Sequence, residues 1–337
     1  MTLRHLGYPC ICLSLGSLGA TSSTMTATRA LEFSPEERKQ RISQIIERNL
    51  AGLRQTLEWN AENKIHLFRI TSNLFPLGTH PSLGYDIGDL PNIPETLKSL
   101  GDIANSSEQR LSSHPGQYVC LGSPEPQVVE ASIRELNHHA LWMSFMGLDG
   151  LPNMNIHMGG TYGDKKECAR RFISNFQRLS QAARSYLSLE NDDRRNGWSV
   201  RETVDLVSSE TGIPVVFDLH HHRFCSGGDS ELGAFCLASS TWRGWGSGVP
   251  ELHYSESRTA HNSRLDYFGQ RCRPTAHSDW IDGPIREFPG VYDLTIEAKQ
   301  KDLALLRYQN RVAVMTEAET TAHLSRWTDN PFSSETL

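Results

Sequence analysis

Eight short β-like runs, each followed by a helical stretch and most ending in His, Asp or Glu, constrain this chain more than any other feature. They fall at residues 5–11, 64–71, 109–115, 153–160, 186–192, 213–221, 249–255 and 291–299. Strands alternating with helices demand parallel pairing through right-handed crossovers. Eight such units predict an α/β fold, a (β/α)8 TIM barrel in a single domain, whose C-terminal strand ends carry the active site. The polar residues at or just beyond those ends are His80, His114, His157, Glu190, Asp218, His221, His253 and Glu297.

At 337 residues the chain exceeds the roughly 250 that such a barrel needs. Residues 1–312 are assigned to it, and 313–337 read as a polar, peripheral or disordered tail. The clearest helix opens on the capping box Ser34-Pro35-Glu36-Glu37, followed by Ile42, Ile45, Ile46, Leu50, Leu53 and Leu57 on one face as far as Glu62. Further helices are expected at 94–105, 126–146, 165–185, 200–211, 232–242, 278–288 and 301–311. The Gly/Ser/Arg-rich stretches 227–248 and 255–275 read as long functional loops. The strands near 153–157 and 213–218 read as apolar until their last residues, as expected for strands buried on both faces.

A formal charge of −6 excludes a generally basic, nucleic-acid-coating surface and makes any such contact local. Seven scattered cysteines without a CxxC pair favour reduced thiols in a cytosolic setting. Gly7 and Pro9 interrupt the apolar N-terminal run, which argues against a signal peptide, and no window suits a membrane span. A cytoplasmic monomer is the expectation.

Asp218-Leu-His-His221 closes an apolar run, and its carboxylate and imidazole can converge on one cation. Glu190-Asn-Asp192 and Glu297-Ala-Lys299 also follow apolar runs, and His157-Met-Gly-Gly160 joins a ligand to backbone open for close approach. In His114-Pro-Gly-Gln-Tyr118, a Pro-Gly turn projects Gln117 and Tyr118 outward. So many N and O donors imply two or three divalent cations such as Mn²⁺, with zinc not demanded. Paired cations suit phosphodiester cleavage, but sugar isomerases of this fold use them too, and the cluster alone does not choose. Lys165, Lys166, Arg170, Arg194 and Arg195 follow the fourth and fifth runs, where they can meet phosphates.

Eight segments in order resemble the signatures of the UV damage endonuclease (UvdE/UvsE) family. They are Gly7-Tyr-Pro-Cys10, Leu67-Phe-Arg-Ile-Thr71 leading to Thr79-His-Pro81, His114-Pro-Gly-Gln-Tyr118, Ile156-His-Met-Gly-Gly160, Leu189-Glu-Asn-Asp192, Phe217-Asp-Leu-His-His221, Leu252-His-Tyr-Ser255 and Glu297-Ala-Lys-Gln-Lys301. The resemblance implies a metal-dependent nuclease that nicks damaged double-stranded DNA immediately 5′ of UV photoproducts and some other lesions, abasic sites among them, leaving 3′-hydroxyl and 5′-phosphate ends. By this resemblance His80, His114, His157, Glu190, Asp218, His221, His253, His277 and Glu297 hold the cations, Mn²⁺ before Mg²⁺, Co²⁺ or Zn²⁺. Glu190, Asp218, Glu297 and Lys299 carry the chemistry, Gln117 and Tyr118 probe the duplex, and Tyr8 contacts the extruded bases.

Two positions depart from the family pattern. Glu251 stands where the family has a Lys able to become a carboxylated ligand, so it either substitutes as a ligand or weakens that site. Cys12 replaces an Asn expected near the lesion. Three alternatives follow: an apurinic-site endonuclease of related fold, a damage-binding protein that does not cut, and a metal-dependent sugar isomerase.

Overall fold

The computed structural model describes residues 3–150, 152–261 and 271–314. Its strands are β1 (Leu3–Pro9), β2 (Leu67–Ile70), β3 (Arg110–Ser113), β4 (Asn153–His157), β5 (Leu187–Glu190), β6 (Val215–Asp218), β7 (Glu251–Tyr254) and β8 (Tyr292–Ile296). They pair in parallel and in order, and β8 returns to β1 to close the barrel. At Gly7 a Cβ would lie 2.2 Å from the Leu67 carbonyl, so only glycine lets β1 approach β2 this closely.

The helix Pro35–Glu62 starts at Ser34, whose hydroxyl accepts from the Glu37 amide while Glu37 reaches back, the reciprocal cap anticipated for it. Helices Ile93–Ser106 and Pro126–Met146 cover the next two crossovers. Leu50, Leu53, Leu57, Leu97, Leu136 and Phe172 pack with outward strand residues such as Phe68, Met154 and Leu189. A second apolar cluster, around Phe217, Phe235, Phe288 and Tyr292, serves the later strands. Among the described residues no helix is long and apolar enough to cross a membrane.

Three expectations need correction. Residues 278–288 are not helical: Gly283 and Pro284 interrupt the stretch, and the Asp282 and Gly283 amides donate instead to buried Glu256. The stretch 165–185 divides into Lys165–Phe176 and Gln181–Tyr186, because Ser180 caps a new start by accepting from the Ala183 amide. Nor is the barrel interior apolar. Period-two alternation turns Asn153, Asn155, Ser188, Glu251 and Thr295 inward, all fully buried, while Met154, Ile156 and Leu189 face the helices. The final helix, Lys301–Val314, runs past the expected end at 311. Residues 315–337, with nearly all of the expected tail, and 262–270 of the expected 255–275 loop lie outside the described residues.

Candidate metal centre

Barrel register assembles this site. His157 pairs across to Glu190, and Asp218 across to His253, so each neighbouring strand pair delivers an imidazole beside a carboxylate at the C-terminal rim. Glu297, just past β8, is fixed by its amide donating to the Tyr254 carbonyl at 2.8 Å. Among the described residues two groups of converging ligand atoms result: His114, His157 and Glu190; and Glu190, Asp218, His253 and Glu297, with all atoms of a group within 4.8 Å of one another.

Glu190, buried to 1% exposure, belongs to both groups. His253 Nδ1 lies 3.1 Å from it, His221 Nδ1 3.3 Å, His157 Nε2 3.8 Å and His114 Nε2 3.9 Å. The Asn155 amide also donates to its carboxylate. Burial works against the Glu190 charge, but His253, His157 and His221 outweigh it and hold the carboxyl well below the usual range. For His157 burial is again outweighed, here by Glu190, Asp192 and Glu297, and the ring is held up to about 9. Burial next to Arg69 and His157 pushes His114 down to about 4.

The ring orientations suit ligation. His114 Nδ1 sits 2.9 Å from the Pro115 carbonyl, His221 Nδ1 3.0 Å from the Asn191 carbonyl, and His157 Nδ1 3.3 Å from Asp192. For His114 an Nδ1–H donated to the carbonyl leaves Nε2 as the ligating atom, whereas His221 Nδ1 also faces Glu190 at 3.3 Å. His253 is reversed: Nδ1 faces Glu190 and Glu297, and Nε2 lies 3.6 Å from Glu251. Asp218 is fully buried, yet its Oδ2 accepts no hydrogen bond among the described residues, and burial raises its carboxyl. A buried carboxylate oxygen without a donor is costly, and a divalent cation resolves that cost. The donor set fits the cations expected from the sequence.

Other sequence-derived residues fall elsewhere. His277 Nδ1 lies 3.7 Å from Glu297, at the edge of the cluster. His80 belongs to neither ligand group; it lines a separate cavity of about 420 Å³ with Tyr118 and Glu135. Glu251 sits one layer below His253, accepting from Ser112, Asn153 and Thr295 at 3.0–3.1 Å. Gln117 and Tyr118 are exposed on their turn, as are Lys166 in the first turn of the helix Lys165–Phe176 and Arg194 and Arg195 on their loop. Lys165 is already engaged, its ammonium 2.6 Å from the Gly197 carbonyl and 2.7 Å from Glu202.

One assignment is corrected. Tyr8 does not line the mouth: alternation along β1 turns it outward, where it is fully buried against Phe68 and donates to Asn60 at 2.7 Å. Cys12 is buried alongside it, its thiol pushed up to about 11 by burial. Lys299 is exposed just beyond Glu297, a position open to a phosphate, while the nearly buried Arg69 pairs with Glu297. Sequence reasoning missed Arg69, Asn155 and Asp192. The first two occupy inward positions on strands already identified, so alternation counted from Thr71 and His157 would have found them.

Comparison with known proteins agrees with this geometry. The family model described as UV-endonuclease UvdE matches residues 4–325. A UV-damage endonuclease of Schizosaccharomyces pombe is 34% identical over 91% of this chain, and the match covers 50% of that relative, so the chain spans about half its length. A UV DNA damage endonuclease of Clostridium perfringens is 30% identical over 90% of this chain and 70% of its own. The crystal structure of SacUVDE superposes with a TM-score of 0.74 at 30% identity, covering 91% of this chain and 99% of that one. Fold, site and sequence agree that the chain belongs to the UV-endonuclease UvdE family.

Proposed function

We propose that the protein is a metal-dependent DNA repair endonuclease that hydrolyses the phosphodiester immediately 5′ to UV photoproducts, cyclobutane pyrimidine dimers and 6-4 photoproducts, and also acts at abasic sites. The observation that carries this reading is Glu190, a single buried carboxylate shared by two ligand groups at the barrel mouth, with the exposed Gln117-Tyr118 turn following the strand that supplies His114. His114, His157 and Glu190 would hold one cation; Glu190, Asp218, His253 and Glu297 would hold a second, with His221 and His277 beside them. Such cations, Mn²⁺ foremost, acidify water and neutralise charge on a phosphodiester.

The remaining work falls to the chain. Arg69 holds Glu297 in place and Asn155 orients Glu190. Asp192 and the Asn191 carbonyl fix the rings of His157 and His221. Gln117 and Tyr118 wedge into the stack where a lesion already pairs poorly, which lowers the cost of turning the damaged nucleotides out. Water adds to phosphorus, the bond to the 3′ oxygen breaks, and that oxygen leaves protonated, giving 3′-hydroxyl and 5′-phosphate ends.

The test is a nicking assay on an end-labelled duplex with one thymine dimer, run with Mn²⁺ and with chelator beside an undamaged control. A single Mn²⁺-dependent nick 5′ of the dimer supports the reading. Lesion-selective binding without a nick would instead identify a damage-binding protein, and neither would overturn any role at DNA damage.

A further inference from the structure

The glycines that follow His157 are filled from within the protein. A Cβ on Gly159 would lie 2.7 Å from Cys120 Sγ, and one on Gly160 would lie 3.2 Å from the Tyr162 ring. Tyr162, on the loop after β4, is 49% exposed and sits at φ 49°, a left-handed conformation that residues with a Cβ rarely adopt. An exposed ring held there needs a reason, because glycine would occupy the same backbone without strain. Its position is nevertheless fixed. The Cys120 thiol donates to the Met158 carbonyl at 3.6 Å, which commits its one proton, so the Tyr162 hydroxyl is the donor in its 3.5 Å contact with Cys120 Sγ. Cys120 is itself anchored, its amide donating at 2.8 Å to Ser132 Oγ on the helix Pro126–Met146. The Arg171 guanidinium lies 5.8 Å from the ring centroid, within cation–π reach. Cys120 also stands two residues after Tyr118, so it links the two mouth loops that carry exposed tyrosines.

We propose that Tyr162 is a second recognition residue, a fixed ring on which a nucleobase beside the lesion stacks, with Cys120 as the residue that positions it. The inference rests on the reading of the protein as an endonuclease for damaged DNA. Loops after the C-terminal strand ends of a barrel surround its site. This one runs from His157, a candidate ligand, to the helix Lys165–Phe176, whose first turn carries the exposed Lys166. An aromatic face accepts any base without choosing sequence, which suits a lesion reader. It accepts only a base whose own face is uncovered, and within a duplex damage uncovers one by disturbing the stack. Pinning the hydroxyl in advance removes the cost of ordering the ring when DNA arrives.

The experiment is a nicking assay with the whole chain and Mn²⁺, in which a thymine-dimer duplex gives KM and kcat and an undamaged duplex, added as competitor, gives its inhibition constant. Tyr162→Ala should raise KM roughly 5- to 100-fold, the range for removing one base-stacking ring, while kcat and the inhibition constant stay near parental. Tyr162→Trp, which keeps an aromatic face, should stay near the parental KM. Tyr162→Phe and Cys120→Ala each release the ring without removing it and should raise KM about threefold to tenfold. Because both break one contact, the double variant should be no worse than the more impaired single. A parental KM for Tyr162→Ala, a loss confined to kcat, or a KM and inhibition constant that rise together would each overturn the proposal. Additive losses from Tyr162→Phe and Cys120→Ala would overturn the role of Cys120. If Tyr162→Ala does not fold, Tyr162→Leu, bulky but without a ring, decides by the same criteria. No nick by the unsubstituted protein would be a separate failure, of the endonuclease reading itself, and the proposal falls with it.

Discussion

Replacing Glu251 by Gln tests whether the buried polar layer beneath the cluster supports both the fold and the site. Glu251 is fully buried, accepts from Ser112, Asn153 and Thr295, and lies 3.8 Å from Arg110 and 3.6 Å from His253 Nε2. Burial alone would raise its carboxyl; His253, Arg110 and Asn153 outweigh that and hold it down to about 2, against an ordinary 4.5. A folded-state value below the unfolded one stabilises the fold fully above pH 4.5, and the contribution is lost as pH falls through about 2. At ~1.4 kcal/mol per unit, the ionised group contributes about 3 kcal/mol at pH 7. An unfolding entropy of ~2 cal/mol/K per residue over about 300 ordered residues converts that into a melting point lower by ~5 °C. The melt is followed by circular dichroism in chelator at pH 7 and again near pH 4, where the gap should narrow. Losing the charge that faces His253 Nε2 at 3.6 Å should also weaken Mn²⁺ binding by roughly 10- to 100-fold in a calorimetric titration. A variant that melts within ~1 °C of its parent at pH 7 and binds Mn²⁺ equally would refute the argument.

Asp218→Asn removes a buried carboxylate that burial and the neighbouring Glu190 and Glu297 already disfavour; the metal-free protein should gain about 1 kcal/mol while losing the rise in melting temperature that Mn²⁺ gives its parent, both read from melts with and without metal. Arg69→Met strands Glu297 without its cation and should cost about 3–5 kcal/mol in metal-free urea unfolding. Arg194 and Arg195 are exposed beyond β5. Replacing both with Ala should lower the slope of log binding against log salt by roughly 2. Lys165→Ala should leave that slope unchanged, since its ammonium is spent on Gly197 and Glu202.

What was legible in the sequence is what alternation and caps encode. Barrel strand order follows from eight β-like runs separated by helices, and the start of the helix Pro35–Glu62 from its capping box. The rim carboxylates and imidazoles were legible because each terminates its run, where a charge in an otherwise buried segment needs a reason. Residues 278–288 misled because Ile281, Ile285 and Phe288 carry spacing compatible with a helix, while Gly283-Pro284 within the stretch decides against one. Tyr8 misled through its neighbourhood: its segment reaches the mouth, but an odd step along β1 turns its ring away.

The residues that stayed hidden share a physical character. Arg69 and Ser112 do not announce their partners on their own; each acquires its meaning only when closure of the barrel brings it against a carboxylate from a strand distant in sequence. Arg69 meets Glu297 across 228 residues and Ser112 meets Glu251 across 139. The departure at position 251 shows the same limit from the other side. Sequence offered a ligand or a weakened site, whereas the closed barrel places the carboxylate among three neutral donors that occupy its oxygens, two residues before His253 and facing its far nitrogen. We therefore read Glu251 as a brace beneath His253 and expect its removal to register in metal affinity and in stability together.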